Sequence, residues 1–380
     1  MRLATDLYLS RATLPAFAIQ GYGWGAFAAL VPQLKSGIGA PDGTFGMVLL
    51  FAAAGAMSAM LLAPRIDRRL DRWSQPVAGL FMISSFVAVA LAAGPLAFAA
   101  AMFCVGIGAG LLDVVMNARV SEIESRSGRP LMSLNHAGFS LAYAVSAVCT
   151  GLAREAGAAP VQIFAVLVAV TVVVGLVIRL PSADAAEGTG GRSGGRLGPL
   201  EVLAGAITLI AFVAENATEG WSALHIERTL GGSAVEGGLG PAMLGLTMAL
   251  GRFLGHVLSV RGREAMLIGA AALVSALGAG LAAVAPAPAV AYLGFAVLGL
   301  GVSVIAPLAI GLAGALAVPE RRTETVSRVV MIGFVGFFIG PPLMGLISEA
   351  AGLRASFAAI ALGLLAVPLL LGALRRSAMP

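Results

Sequence analysis

The segment PLAFAAAMFCVGIGAGLLDVVMNARVSE, residues 95–122, decides the fold class. From Leu96 to Met116 every residue is apolar or glycine except Asp113. A helix of roughly 20 apolar residues crosses the hydrocarbon core of a bilayer, which is about 30 Å thick. The segment therefore predicts a transmembrane helix, and it raises the question of why this helix contains Asp113 and, four residues later, Asn117.

The composition extends this interpretation to the whole chain. Of the 380 residues, 59% are hydrophobic and only 11% are charged, whereas roughly a quarter of the residues in a soluble domain are charged. The net charge is +5, but no basic stripe is interleaved with aromatic residues, so no nucleic-acid partner is expected. The sequence has no phosphate-binding loop, Cys/His ligand cluster or nucleophile motif. We expect an integral membrane protein that is not an enzyme and has no cofactor or metal site.

Twelve apolar runs are long enough to cross a bilayer as helices, six on each side of one polar segment. That segment, PSADAAEGTGGRSGGRLG at 181–198, has the glycine and serine content of a flexible connector. The sequence thus predicts an all-α membrane protein with an N-terminal six-helix bundle (1–180), a cytoplasmic linker (181–199) and a C-terminal six-helix bundle (200–380). The predicted transmembrane spans are 12–34, 43–64, 74–93, 95–118, 131–153, 160–179, 200–223, 236–259, 264–285, 288–314, 325–348 and 353–374.

The basic residues predict the orientation of these spans, because cytoplasmic loops carry an excess of Lys and Arg. With both termini in the cytoplasm, nineteen of the 24 basic residues fall on the cytoplasmic side and Arg252 falls inside a span. The four that remain on the opposite side are Lys35, Arg154, Arg228 and Arg354. We therefore expect both termini to be cytoplasmic.

Internal repeats support the division into two halves. GLAREAG at 151–157 recurs as GLISEAAG at 345–352, FAIQGYGWG from Phe17 faces FVAENATEG from Phe212, and VGIG at 105–108 faces LGLG at 298–301. The three offsets are 194, 195 and 193 residues. Within the first half, GYGWG at 21–25 and GIGAG at 106–110 are also alike, and such glycines serve either close helix packing or a substrate site.

Several motifs resemble the major facilitator superfamily. The loop APRIDRRLDR, 63–72, keeps the acidic and two of the basic positions of the family's loop motif, at Asp67, Arg68 and Arg72. LDVVMNARVSEIE, followed by GRPLMSLNHAGFSLAYAVSA at 128–147, is similar to a bacterial subgroup related to proton-coupled sugar permeases. The resemblance implies alternating access around a central cavity, with the loop motif as a cytoplasmic latch and Arg328 as the candidate partner of Asp67.

Three acidic residues inside predicted spans are candidates for proton coupling, because charged groups in a bilayer are costly and usually functional. Asp113 shares a helix face with Asn117, and Glu215 shares one with Glu219. Two ionised carboxylates on one face repel each other, so one of the glutamates is expected to hold a proton at neutral pH. The alternatives are a structural pair for Asp113 and a solvated position for Glu219.

The remaining polar and aromatic residues of the spans are candidates for substrate binding. Amides and rings suit a sugar or a similar polyol, and Arg252 needs a carboxylate, with Asp113 and Glu215 as possible partners, or an anionic substrate. Interfacial aromatic residues, a buried neutral His136 and an arginine that reaches the cytoplasm are the alternatives. The candidates are Gln20, Tyr22, Trp24, Asn117, Asn135, His136, Tyr143, Asn216, Trp221 and Arg252.

Three functional hypotheses are compatible with these features. The first is a proton-coupled importer of a sugar, sugar acid or organic acid. The second is a proton-coupled exporter of drugs or metabolites, and the third is a receptor or lipid scramblase on the same scaffold. The expected partners are a small-molecule substrate, H+ and the lipid bilayer of a bacterial inner membrane, and the protein is expected to be a monomer.

Overall fold

The structure, a computed structural model, describes residues 2–176, 178, 197–257 and 262–377. All regular secondary structure within these ranges is helical. Short 3-10 turns at Asp71–Trp73 and Pro319–Arg321 and a π turn at His225–Thr229 accompany the α-helices. The α-helices are α1 (Arg2–Ser10), α2 (Leu14–Gly37), α3 (Asp42–Leu70), α4 (Ser74–Ala90), α5 (Pro95–Ser127), α6 (Met132–Glu155), α7 (Pro160–Gly175), α8 (Pro199–Leu224), α9 (Ala234–Val257), α10 (Glu264–Val284), α11 (Pro288–Leu316) and α12 (Arg322–Ser377).

Prolines and a glycine set several of these boundaries. Proline lies in the first turn of α5, α7, α8 and α11, where its fixed φ suits a helix and its missing N–H leaves no bond unmade. Inside α12, Gly352 has φ 82° and ψ 165°, which divides the helix into 322–351 and 353–377. Glycine enters this part of the Ramachandran map without the Cβ clash of other residues.

The predicted spans all coincide with helices, and α12 carries the last two, 325–348 and 353–374. Some helices run further than predicted, because α3 and α5 continue through charged turns to Leu70 and Ser127. The short helix α1 precedes the first span and was not predicted from its mixed, polar sequence.

Parts of three predictions lie outside the described residues. They are most of the linker, 181–196, the positions 177 and 179 of the sixth span, and the positions 258–259 of the eighth span.

The surface of the helices has the character of a membrane protein. Within the described ranges, eight helical stretches are long and apolar enough to cross a bilayer. Large apolar side chains are exposed along them, among them Leu61 at 78%, Leu96 at 84% and Leu369 at 76%. Soluble monomers rarely expose large contiguous apolar areas. The chain is therefore a multi-pass membrane protein.

Close helix contacts in the first half depend on glycine. A Cβ atom added to Gly25 of α2 would lie 2.2 Å from the Tyr143 carbonyl oxygen of α6, and one added to Gly106 of α5 would lie 2.0 Å from the Ala52 carbonyl oxygen of α3. Both glycines belong to the motifs GYGWG and GIGAG. Their surroundings favour the packing interpretation of these motifs.

The helices α2 to α7 form one half and α8 to α12 the other, and the halves meet where α6 packs on α9 and α3 packs on α12. We call the end of the molecule where α2 finishes and α3 begins the Asp42 end. The opposite end, where α3 finishes, is called the Asp67 end. The candidate site lies between these ends.

Candidate functional site

An ion pair lies at the contact between the two halves. Arg252 of α9 donates to Glu215 of α8, with 2.9 Å between Nη2 and Oε1. Its other terminal nitrogen donates to the hydroxyl of Ser140, which belongs to α6 in the first half. The Arg252 and Glu215 side chains are only 16% and 14% exposed. A pair this deeply buried needs good geometry and further hydrogen bonds to offset its desolvation, and Ser140 supplies one of them from across the interface.

A second carboxylate lies one helical turn further along α8. Glu219 interacts electrostatically with both Glu215 and Arg252. The ring of Tyr143 on α6 lies within electrostatic range of both glutamates, and its buried hydroxyl has no hydrogen-bond partner among the described residues. Two carboxylates thus share one guanidinium, and a proton on either of them would relieve the excess negative charge.

His136 borders the same cluster from the first half. Its ring meets the edge of Phe17 with 5.0 Å between the ring centroids and an interplanar angle of 81°. Arg252 acts on it electrostatically. His136 therefore lies within electrostatic range of the ion pair.

Asp113 and Asn117 form a separate polar group between α5 and α2. The Asn117 amide nitrogen donates to the Asp113 carbonyl oxygen at 2.8 Å and to its carboxylate at 3.2 Å. The Gln20 side chain also bonds the Asp113 carboxylate, and its buried Oε1 has no partner within the described ranges. The spacing of four residues therefore does bring Asp113 and Asn117 together, with Gln20 as a third member.

Two aromatic residues of α2 face elsewhere. The Tyr22 hydroxyl lies 2.5 Å from the Thr171 hydroxyl of α7, and the Trp24 ring meets the edges of Phe27 and of Phe86 on α4. These contacts are within the first half, so the expectation that Tyr22 and Trp24 line the cavity is corrected. The cause is the rotation of α2, which turns its glycine face towards α6.

Asn135 also forms hydrogen bonds that connect helices. It is fully buried, and it accepts a hydrogen bond from the Thr13 hydroxyl at 2.8 Å and donates to the Ser10 hydroxyl at 3.1 Å. These bonds join the start of α6 to the turn between α1 and α2, at the Asp67 end. The expected role of Asn135 in substrate binding is therefore corrected, because its amide is already occupied by Thr13 and Ser10.

The two remaining candidates on α8 lie near other helices. A Cβ atom added to Gly340 of α12 would lie 3.5 Å from the Asn216 side-chain oxygen. Trp221 is fully buried and meets the edge of Phe45 on α3, with 5.7 Å between the ring centroids. Its ring N–H has no acceptor among the described residues. Trp221 therefore closes the interface between the halves on the side of the Asp42 end.

The predicted latch has a different partner from the one expected. Asp67 accepts two hydrogen bonds from Arg119 of α5, at 2.8 and 3.2 Å, within the first half. Arg328 pairs instead with Glu324 at 2.5 Å and with Glu201 at 3.8 Å. The pairing of Asp67 with Arg328 is thus corrected. The sequence did indicate Arg119 as a possible partner of Asp67. Arg119 follows the apolar run of α5 and so lies at the same end of the molecule as Asp67.

Arg68 and Arg72, the other two members of the predicted latch, are exposed. Their role in a latch stays a prediction.

The ion pairs that join the halves at the Asp42 end were not predicted from the sequence. Arg228 binds Asp42 through two bonds of 2.7 and 2.5 Å, and Lys35 binds the same carboxylate at 2.8 Å. Arg154 binds Glu227 at 2.6 and 3.0 Å. The sequence did contain an indication of these pairs. The orientation rule left four basic residues on the side opposite the termini, and three of them take part: Lys35, Arg154 and Arg228.

Comparisons with known proteins agree with this architecture. The family profile Major Facilitator Superfamily matches residues 204–379. An uncharacterized MFS-type transporter of Yersinia pestis is 29% identical over 358 residues, which cover 93% of this chain and 92% of that protein.

Among solved structures, a bacterial homolog of the human lysosomal transporter Spinster, in an inward-facing and occupied conformation, has a TM-score of 0.76 at 16% identity. The alignment covers 97% of each chain. The inward-open xylose transporter XylE of E. coli has a TM-score of 0.72 at 14% identity, over 97% of this chain and 96% of that one.

Two helical halves with long apolar helices and a buried ion pair at their contact define a multi-pass membrane protein, and the relative and solved structures that it resembles are transporters. The chain is similar to the major facilitator superfamily, in sequence over residues 204–379 and in fold over 97% of its length. Members of this family are transporters, which confirms the prediction that the protein is not an enzyme.

Proposed function

We propose that the protein is a secondary transporter that imports a small polar metabolite, a sugar, sugar acid or organic acid, together with protons by alternating access. The observation that carries the proposal is the position of Arg252. It is bound to Glu215 within its own half and to Ser140 across the interface. A buried cation with one partner in each half is sensitive both to charge and to the separation of the halves.

The proposed topology has twelve transmembrane helices in a bacterial inner membrane, with both termini in the cytoplasm. Two of the eight apolar stretches, Asp42–Ala90 and Pro319–Arg376, are long enough for two spans each. The helices α7 and α9 complete the twelve. The halves are 1–180 and 200–380, joined by the linker 181–199, and the protein acts as a monomer. The Asp42 end then faces the outside and the Asp67 end faces the cytoplasm.

Proton coupling follows from the charge balance around Arg252. When Glu215 is ionised, it neutralises the guanidinium, and Glu219 leaves one excess negative charge nearby. A proton on Glu215 would free Arg252 to bind substrate, and its release would restore the pair. Asp113 is a third candidate, because protonation would remove its charge while Asn117 and Gln20 remain as hydrogen-bonding groups.

The proposed substrate contacts are buried polar groups, at the interface and beside Asp113, that still have bonding capacity. The hydroxyl of Tyr143, the ring N–H of Trp221 and the side-chain oxygen of Gln20 are buried and have no partner within the described ranges. Leaving such groups unpaired costs about 1–3 kcal/mol each, which hydroxyl groups of a substrate would recover. Asn117, His136, Asn216 and Arg252 complete the proposed set.

An exporter that exchanges protons for a drug or metabolite is the second candidate, since the same acids serve either direction. A site for lipophilic cations would be lined mainly by aromatic residues and methionines around one acid. The group around Arg252 instead combines acids, an arginine and hydroxyls, which favours a polar substrate. A receptor or lipid scramblase on the same scaffold is the third candidate, and no feature of the group around Arg252 favours it.

The test begins with a search for the substrate. Purified protein is screened for thermal stabilisation by sugars, sugar acids, organic acids and lipophilic cations at two pH values. Each stabilising compound is then offered to proteoliposomes with and without an inwardly directed proton gradient. We expect the gradient to drive accumulation of a polar compound. Stabilisation by lipophilic cations alone would support the exporter instead.

Two variants separate coupling from binding. Glu215→Gln is expected to abolish accumulation driven by the gradient and to retain exchange of substrate across the membrane. The matched control is Glu264→Gln, which alters a carboxylate at the start of α10 that accepts the Gly262 N–H and, among the described residues, lies apart from the Arg252 group. If Glu215→Gln accumulates substrate like the control, the proposed coupling site is wrong.

A further inference from the structure

The repeated segments 151–157 and 345–352 occupy matching positions in the structure. Gly151 of α6 and Gly345 of α12 each approach a helix of the opposite half four residues after that helix begins. A Cβ atom added to Gly151 would lie 3.3 Å from the Gly238 Cα atom of α9, and one added to Gly345 would lie 3.2 Å from the Gly46 Cα atom of α3. The repeat is therefore a repeat of an interface between the halves.

The glutamate four residues after each glycine makes the same kind of bond. Glu349 accepts the backbone N–H of Gly43 in the first turn of α3 at 2.7 Å. Glu155 accepts the backbone N–H of Val235 in the first turn of α9 at 3.4 Å. The first N–H groups of a helix lack partners within the helix and carry its positive partial charge, so they favour a carboxylate. Each carboxylate thus binds the start of a helix in the opposite half.

The residue before each glutamate adds a third contact across the interface. Arg154 binds both carboxylate oxygens of Glu227. Ser348 donates to Asp42 and accepts from Arg228 at 3.0 Å. All three positions of both segments therefore contact residues at the Asp42 end, where α3 and the turn after α8 carry the opposing groups.

We propose that residues 151–155 and 345–349 form a pair of clasps, related by the internal repeat, that hold the two halves together at the Asp42 end and must separate before the halves open there. The proposal rests on the alternating-access part of the proposed function. It does not depend on the substrate or on proton coupling. The two clasps differ in their contacts, because those of Gly345 and Glu349 are closer than those of Gly151 and Glu155.

The experiment measures the distance between the halves at the Asp42 end. Spin labels are placed at Ala159→Cys, between α6 and α7, and at Ala287→Cys, between α10 and α11, after Cys104 and Cys149 are replaced by Ser. Both labelled positions are exposed. Pulsed electron resonance then gives the populations of closed and open molecules in the full-length protein.

A graded series of alanine substitutions tests the glycine contacts. A methyl group at Gly345 would lie 2.4 Å from the Asp42 carbonyl oxygen and one at Gly151 would lie 3.1 Å from the Ala234 carbonyl oxygen, whereas Gly363 has no atom within 4 Å. We expect Gly345→Ala to raise the ratio of open to closed molecules by at least about tenfold, Gly151→Ala to raise it less, and the control Gly363→Ala to leave it unchanged. Equal populations in Gly345→Ala and Gly363→Ala would overturn the proposal.

A charge-neutral substitution provides a second test if an alanine variant does not fold. Glu349→Gln keeps the size of the side chain and weakens its bond to Gly43, so we expect the open population to rise about threefold. The control is Glu236→Gln, since Glu236 accepts the Ser233 N–H at the start of α9 within its own half. A rise of the same size in the open population of the control would overturn the proposal of the clasps.

The two proposals fail in different ways. If the wild type populates both closed and open distances but Gly345→Ala and Glu349→Gln match their controls, the clasps are wrong and alternating access stands. If every variant and the wild type show the closed distance alone, even with substrate present, alternating access itself is contradicted.

Discussion

Both ends of the molecule contain ion pairs, but the pairs at the two ends connect different parts of the structure. At the Asp42 end, ion pairs connect the halves, as between Arg154 and Glu227. At the Asp67 end, the pairs of Asp67 with Arg119 and of Arg328 with Glu201 each connect helices of a single half. A pair within one half stiffens that half in every conformation. A pair between halves stabilises only the conformation in which they touch, so its removal changes populations as well as stability.

The largest expected effect on stability comes from the Asp67 end. Asp67→Asn removes the charge that neutralises Arg119, whose side chain is only 2% exposed. Loss of one partner from a buried pair costs about 3 kcal/mol. We expect a clear fall in the apparent melting temperature in detergent, and no change in the distance between the labels at positions 159 and 287, because both partners lie in the first half.

The control for this variant is Arg72→Gln, an exposed residue of the same loop. Its effect on the melting temperature is expected to be close to zero. A change in the label distance in Asp67→Asn would mean that the pair also reports on the separation of the halves, and the contrast between the ends would be lost.

The sequence predicted those features of the fold and the site that depend on the pattern of residues within a single helix. Apolar runs located the helices, because the apolar length that suits a bilayer can be read from composition alone. The four-residue spacing brought Asp113 to Asn117, since residues at that spacing share a helix face. The expectation that Arg252 needs a carboxylate led to Glu215 as one of two possible partners.

The rest depends on how each helix is rotated and on contacts between distant segments. Tyr22 and Trp24 were misplaced because the glycine face of α2 packs on α6, which a single helix pattern does not reveal. The partner of Asp67 was misplaced because many helices reach that end and their order in space is not in the sequence. The sequence shows the proposed clasps only as a repeat of two segments. It does not show the hydrogen bonds and ion pairs that these segments make across the interface.

An intermediate effect is expected at the Asp42 end from Glu227→Gln. Arg154 would keep its bonds to the Ala29 carbonyl oxygen and the Gln33 side chain. The loss is therefore that of one charged partner, about 1.5 kcal/mol, which corresponds to about a tenfold shift towards open molecules. The label distance measures the shift.

The matched control for Glu227→Gln is Glu122→Gln, which breaks the pair of Glu122 with Arg126 on the surface of α5. The Arg126 side chain is 74% exposed, and exposed pairs of this kind contribute little. A similar shift in both variants would show that the label distance responds to general loss of charge and not to the interface.

The smallest effect is expected from Arg228→Met, although Arg228 also joins the halves. Its side chain is 42% exposed, so water and salt screen its pair with Asp42. Asp42 would also keep Lys35, at 2.8 Å, and Ser348. We expect at most about a threefold rise in the open population, from less than about 1 kcal/mol. The wild-type population should approach that of the variant as salt is raised, because screening removes the same interaction.

The double variant Lys35→Met with Arg228→Met sharpens this prediction. It leaves Asp42 without a cationic partner, so the shift should exceed that of either single variant and lose its dependence on salt. If Arg228→Met alone opens more molecules than Glu227→Gln, burial does not rank the pairs between the halves. The closed state at the Asp42 end would then depend on its most exposed charges, in contrast to the Asp67 end, where a nearly inaccessible guanidinium holds the half together.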